Sequence, residues 1–161
     1  MMKPQAPAVI AAAIGQGVQL ATAESLTAGM IAARLAEVPG ASAVLRGGVV
    51  SYSSDVKRGL LKVDAQLLDA RGSVDPEVAR QMAVGALQAC GADLAVSATG
   101  VAGPEAHDGK PVGTVYIGWA RGAESGSTVH HFVGDRAQIR EQSTHAALQQ
   151  LAAILDKASS Q

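Results

Sequence analysis

The sequence predicts an α/β fold: one mixed sheet with helices on both faces. Three observations carry that reading. Short apolar or β-branched runs alternate with helical periodicity along the whole chain. One of them, LAVSA (Leu94–Ala98), is apolar almost throughout, as a strand buried on both faces must be. The last two runs stand close together across RGAESGS (Arg121–Ser127), which reads as a hairpin and makes part of the sheet antiparallel.

Taken in order, the pattern predicts helices over about 5–15, 26–37, 54–61, 65–70, 75–90 and 136–156, and strands over about 18–23, 44–52, 93–98, 112–120 and 127–133. The first segment, PQAPAVIAAAIGQG, is an Ala-rich run preceded by Pro4 and Pro7 and ended by Gly15 and Gly17, which fits an amphipathic helix better than a secretory signal. The helix at 75–90 has its punctuation written out: Asp75 as N-cap, Pro76 at the first helical position, Gly91 at the end. Asp135 is placed to cap the last helix. The strands rest on AVLRGGVVSY, DLAVSAT, GTVYIGWA and STVHHFV. No internal repeat, linker or low-complexity tract interrupts the pattern.

Length and composition narrow the function. The chain has 161 residues, so one domain over 1–161 is expected. Aromatic residues make up only 2% of it, so the core must be Ala, Val, Leu and Ile, with glycines allowing close backbone approach. A net charge of −1 gives no footprint for nucleic acid. No stretch approaches the roughly 20 apolar residues of a membrane span. The single cysteine, Cys90, fits a small core residue in a reducing cytoplasm.

Two patterns are decoys. GPEAHDGK imitates a phosphate-binding loop, but five residues separate Gly103 from Gly109 where four are needed, and Pro111 follows Lys110 in place of Ser or Thr. His130 and His131 are neighbours on one strand, so they face opposite ways and cannot share a metal ion; His107 and His145 lie elsewhere. No metal and no cofactor is expected.

The chemistry concentrates at strand ends, where open α/β sheets bind ligands. ATAESLT, VVSYSSDVK and VSATGVAGP each end a strand in hydroxyl groups, and FVGDRAQIR follows the last strand with two arginines. Together they would bring Ser25, Thr27, Tyr52, Ser54, Lys57, Thr99 and Arg136 or Arg140 to one crevice. That set suits acyl transfer: a hydroxyl nucleophile, a lysine base, backbone N–H donors and a cationic clamp. Each member also has a plain structural role open to it. Ser25 or Thr27 would cap the helix at 26–37, and Ser54 the helix carrying Lys57. Tyr52 would pack beside Val50, Lys57 would be a solvated lysine, and Thr99-Gly100 a turn. Ser54-Asp-Val-Lys57 is moreover a literal S-x-x-K, one helical turn apart, so spacing alone leaves Ser25 and Ser54 both open as nucleophile.

Several segments, in order and across nearly the whole chain, resemble the C-terminal domain of the competence/damage-inducible CinA proteins, the nicotinamide-nucleotide amidase (NMN deamidase) family. They are TAESLTAG, GGVVSYSSDVKRGLLKV, GSVDPEVARQMAVGAL, ADLAVSATGVAGPE, KPVGTVYIGWA and GDRAQIREQSTHAAL. Larger CinA proteins carry a separate N-terminal domain similar to molybdopterin-binding proteins; the resemblance here is to the other part. It implies a three-layer α/β/α sandwich with a mixed, mostly parallel sheet of about five strands. It implies metal-free hydrolysis of nicotinamide mononucleotide to nicotinate mononucleotide and ammonia, with a homodimer or higher homo-oligomer as the working form. Residue by residue, Ser25 matches the family nucleophile, Lys57 its general base and Tyr52 the nearby tyrosine. Thr27, Thr99, Gly100, Arg136 and Arg140 then fall to substrate binding, with Lys110 a further candidate for the phosphate, and Ser54 becomes a helix cap. Where the family commonly reads ESCTGG, this chain has Leu26 and Ala28, and its loop GPEAHDGKP is poorer in glycine. A non-catalytic nucleotide-binding relative, and a Ser54-centred hydrolase of another amide, are the rival readings. For Lys57 to act as base, burial and the cationic Arg136 would have to lower its proton affinity.

Overall fold

A computed structural model of the chain describes residues 5–160. In order the elements are α1 (Gln5–Gln16), β1 (Leu20–Glu24), α2 (Met30–Ala36), a 3₁₀ turn at Ala41–Ala43, β2 (Leu45–Val50), α3 (Ser54–Leu61), α4 (Ala65–Arg71), α5 (Pro76–Cys90), β3 (Leu94–Gly100), β4 (Thr114–Arg121), β5 (Glu124–His131) and α6 (Arg136–Ser159). The punctuation expected of α5 is present: the Asp75 carboxylate accepts from the Glu77 and Val78 amides, Pro76 opens the helix, and Gly91 closes it at φ 61°. At α6, Asp135 and Gln138 form a reciprocal capping box.

The strands lie in the order β2-β1-β3-β4-β5. β1 is parallel to β2 and to β3, whereas β4 is antiparallel to both its neighbours. Thus β2, β1, β3 and β5 run one way and β4 the other, a mixed and mostly parallel sheet. The β4–β5 hairpin turns through Gly122 and Ala123, with Gly122 at φ 58°.

The two faces of the sheet carry different side chains. Leu20, Leu94, Val96, Val115 and Ile117 point into one core with α1, α2 and α6. Ala21, Ala23 and Ala95 point into the other with Leu61 of α3 and Val78, Met82 and Ala86 of α5. The alternation along each strand is that of a pleated ribbon, but the α5 side is lined by small residues. Helix α5 therefore lies close against the sheet. Cys90, expected in the core, is only half-buried at the end of α5, because the last turn of that helix emerges from the layer.

Two boundaries depart clearly from expectation. Strand β5 begins at Glu124, not near 127, because Gly122 and Ala123 alone make the turn and Glu124 already pairs with Arg121. Helix α2 begins at Met30, not near 26. Between Glu24 and Met30 the chain makes a turn in which Ala28 (φ 48°) and Gly29 (φ 102°) are both left-handed, so no helix can start earlier.

Candidate active site

The C-terminal ends of β1, β2 and β3 open onto a cavity of ≈ 510 Å³. Ser25, Leu26, Tyr52, Ser73, Thr99, Gly100 and Arg136 line it, together with the loop from Val101 to His107. This is where an open α/β sheet of this strand order places a ligand: in the crevice beyond the strand ends, where connections diverge to opposite faces.

Ser25 directly follows β1. Its amide still donates to Ala98 O across the sheet (2.9 Å), and the chain then turns sharply, Ala28 N donating to Ser25 O (3.1 Å). Neither Ser25 nor Thr27 caps α2. The N-cap is Gly29, without a side chain to offer. The Glu24 carboxylate, 1% exposed, reaches over the turn instead. Its Oε1 accepts from the amides of Gly29 (3.2 Å) and Ile31 (2.8 Å), and its Oε2 from Ala32 N (3.0 Å) and the Thr22 hydroxyl (3.2 Å). A buried carboxylate with four donors is fully satisfied as an anion. It leaves the Ser25 hydroxyl free of structural duty and fixes the turn that presents it.

Lys57 sits on α3, whose N-cap is Ser53, accepting from Val56 N; Ser54, expected as the cap, is the exposed first residue of the helix. Lys57 is 1% exposed, so the surface role open to it in the sequence is excluded. Its Nζ donates to the carbonyls of Ser51 (2.8 Å) and Tyr52 (3.3 Å) and lies 2.9 Å from Ser25 Oγ. The stoichiometry is informative. A neutral amine has two N–H bonds and one lone pair. As an ammonium, Lys57 donates to all three oxygens; once it loses a proton, the two carbonyls can keep the two N–H bonds and the lone pair then faces the serine hydroxyl. Burial lowers the lysine's pKa from 10.5 to about 8, and the charge of Asp108 pulls in the opposite direction. Arg136, expected to assist the lowering, is not among its causes.

The remaining expected residues divide by position. Tyr52 is 57% exposed rather than packed beside Val50, and its hydroxyl accepts from Arg136 Nη2 (3.0 Å). Arg136 Nη1 donates to Gly103 O (2.7 Å), so this guanidinium bridges two walls of the cavity mouth. Among the described residues it pairs with no carboxylate. Thr99 and Gly100 close β3 at the cavity floor, Thr99 Oγ1 donating to Ser73 O (2.8 Å). Arg140 lies behind the turn, its Nε donating to Leu26 O (2.8 Å), with Thr27 O 3.5 Å from Nη2. Thr27 is fully buried, and its hydroxyl has no partner among the described residues. Lys110 stands 5.7 Å over the Tyr116 ring. Sequence reasoning passed over Glu24 as a structural anion, Ser51 as a lysine acceptor, and Ser73 and Asp108. Only Glu24 had a visible signal, an acid inside the same short motif.

Among the described residues no three His, Cys, Asp or Glu side chains gather to hold a metal. None of the described helices is long and apolar enough to cross a membrane.

Fold and site together define an α/β sandwich with a strand-end cleft in which a serine hydroxyl meets a buried lysine. The chain belongs to the CinA C-terminal domain family, whose model matches residues 3–155. A CinA-like protein of Mycolicibacterium gilvum is 50% identical over 139 residues, 85% of this chain and 33% of that protein. One from Chlorobium limicola is 46% identical over 137 residues, 81% of this chain and 32% of that protein. The chain thus spans about a third of the length of these relatives. A crystal structure of a competence-damaged protein (CinA) superfamily protein from Klebsiella pneumoniae superposes with a TM-score of 0.92 at 33% identity, covering 97% of this chain and 99% of that one. A competence/damage inducible protein from Agrobacterium tumefaciens gives 0.89 at 34%, covering 97% and 98%.

Proposed function

We propose that this chain is an amidohydrolase that cleaves the carboxamide of nicotinamide mononucleotide, releasing nicotinate mononucleotide and ammonia through a Ser25 acyl-enzyme. The reaction type rests on one observation above all: Ser25 Oγ lies 2.9 Å from the amine of a lysine that is 1% exposed. The substrate is carried over from the family resemblance, and the cleft is consistent with it in size and in the uncompensated guanidinium at its mouth.

A serine hydroxyl is a poor nucleophile until a base removes its proton. Neutral Lys57 takes that proton on the lone pair facing Ser25 while Oγ bonds to the carboxamide carbon. The carbonyl oxygen becomes an oxyanion. The amides of Leu26 and Thr27, just past the nucleophile, have no acceptor among the described residues and are available to it; one such donor contributes about 3 kcal/mol to the transition state. Lys57, now charged, returns the proton to the leaving nitrogen, the C–N bond breaks and ammonia departs. Water then attacks the ester, giving its proton to Lys57, and Ser25 regains a proton as the acid leaves. Arg136 supplies positive charge for the phosphate.

The test is ammonia release from nicotinamide mononucleotide with EDTA present, comparing wild type with Ser25→Ala and Ser54→Ala. Loss confined to Ser25→Ala is expected. Loss confined to Ser54→Ala, or binding of the nucleotide without turnover in the wild type, refutes it in favour of the other hydrolase or of a binding module.

A further inference from the structure

The loop between β3 and β4 forms one wall of the cleft, yet it has little structure of its own. Gly113 N to Val101 O (2.8 Å) closes its base, and toward the tip its backbone pairs only in a two-residue turn, with His107 N to Lys110 O at 3.2 Å and Lys110 N to His107 O at 2.9 Å. Asp108 (φ 52°) and Gly109 (φ 72°) occupy its tip. Such a loop keeps its place through tethers. Near the mouth, Gly103 O is held by Arg136. At the tip, Asp108 Oδ2 accepts from Ser73 N (2.9 Å) and Ser73 Oγ (3.1 Å). Ser73 O in turn accepts from Thr99 Oγ1 on the cleft floor. The seat is shaped for this carboxylate. Gly72, beside Ser73 and at φ 77°, has no side chain, and a Cβ there would lie 2.5 Å from Asp108 Cγ. Two unrelated features, paired donors and a missing side chain, therefore accommodate the same acid.

We propose that Asp108 is a positioning residue for the cleft, mooring the loop that forms its wall to the α4–α5 joint. The inference rests on the amidase reading for what the cleft does, and on the geometry above for what Asp108 does. Other charges near the joint are already engaged. Asp75 caps α5 and faces Arg71 at 3.7 Å. Arg136 bridges Tyr52 and Gly103.

The experiment follows kcat, KM and limited proteolysis of the loop in wild type, Asp108→Asn and Asp108→Ala. Asp108→Asn keeps an acceptor for Ser73, and its KM should stay within about twofold. Asp108→Ala, with the mooring gone, should show a KM raised about tenfold and faster proteolysis of the loop. Unchanged KM and proteolysis in Asp108→Ala overturn the mooring. Should the wild type release no ammonia, the proteolysis still decides Asp108, and only the amidase reading falls.

Discussion

Burying Lys57 has an energetic consequence that can be measured without any substrate. Its pKa in the folded chain, about 8 against 10.5, means that the folded state holds its proton less tightly than the unfolded state. Between those two values the unfolded chain binds more protons, so stability rises with pH across that window; below about pH 8 the full penalty applies. A drop of this size corresponds to about 3 kcal/mol. Lys57→Met removes the charge and keeps most of the volume, but it leaves the Ser51 and Tyr52 carbonyls without their donor, which costs back about 1–2 kcal/mol. The variant is therefore expected to be more stable than wild type at pH 7, by on the order of 1–2 kcal/mol, with the advantage shrinking toward pH 10. Urea titrations at pH 7, 8.5 and 10 decide it. A difference independent of pH means the lysine is not depressed. The same titration should appear in activity: kcat/KM rises through about pH 8 as the neutral amine forms.

At the scale of an element, the β1–α2 junction shows how far the sequence could be read. AESLTAG announces an acid, two hydroxyls and a glycine between a strand and a helix, and capping by a hydroxyl is the ordinary reading. The structure gives the capping to Glu24, from the strand side of the turn. That was not legible, because it depends on left-handed conformations at Ala28 and Gly29 that fold the helix start back over the carboxylate. Elements whose caps are adjacent in sequence, such as Asp75-Pro76 before α5 and Asp135 before α6, were legible because their punctuation is local. In the site, Ser25, Tyr52, Thr99 and Arg136 stood out as polar groups at strand ends. Ser73 and Asp108 did not, since their pairing is made between distant loops. The junction carries a prediction. In Glu24→Gln one carboxylate oxygen becomes an NH₂ group facing amide donors, so buried N–H groups lose their acceptor. Destabilisation of roughly 2–4 kcal/mol is expected, with kcat falling because the Ser25 turn loosens. Unchanged thermal unfolding and kcat would mean that the turn holds itself without the carboxylate.

The whole molecule is an asymmetric sandwich, and the asymmetry links its core to its site. On the face lined by Ala21, Ala23 and Ala95, α5 approaches so closely that two glycines are required by space alone. A Cβ at Gly118 of β4 would sit 2.1 Å from Ala79 O of α5, and one at Gly85 of α5 would sit 2.1 Å from Leu61 O at the end of α3. In a helix interior, Gly→Ala ordinarily gains about 1 kcal/mol. Here the methyl would strike backbone, which cannot rotate away, and overpacking of about 1–3 kcal/mol outweighs that gain. Both substitutions should therefore destabilise. Their effects on function should differ. Gly118→Ala pushes on the middle of the sheet, where Gly118 stands opposite Ser97, and strikes Ala79 O and Ser97 Oγ rather than α3. Gly85→Ala pushes on α3, the helix that carries Lys57 and whose last turn is tied back to it by Val63 N donating to Lys57 O (3.1 Å). An outward shift of α3 by even half an ångström would lengthen the 2.9 Å contact between Lys57 Nζ and Ser25 Oγ, the distance on which proton transfer depends. Gly85→Ala is thus expected to lose kcat at temperatures where it is fully folded, whereas Gly118→Ala should keep kcat until it unfolds. Equal loss of kcat in both would mean that the sheet, rather than α5, sets the position of the lysine.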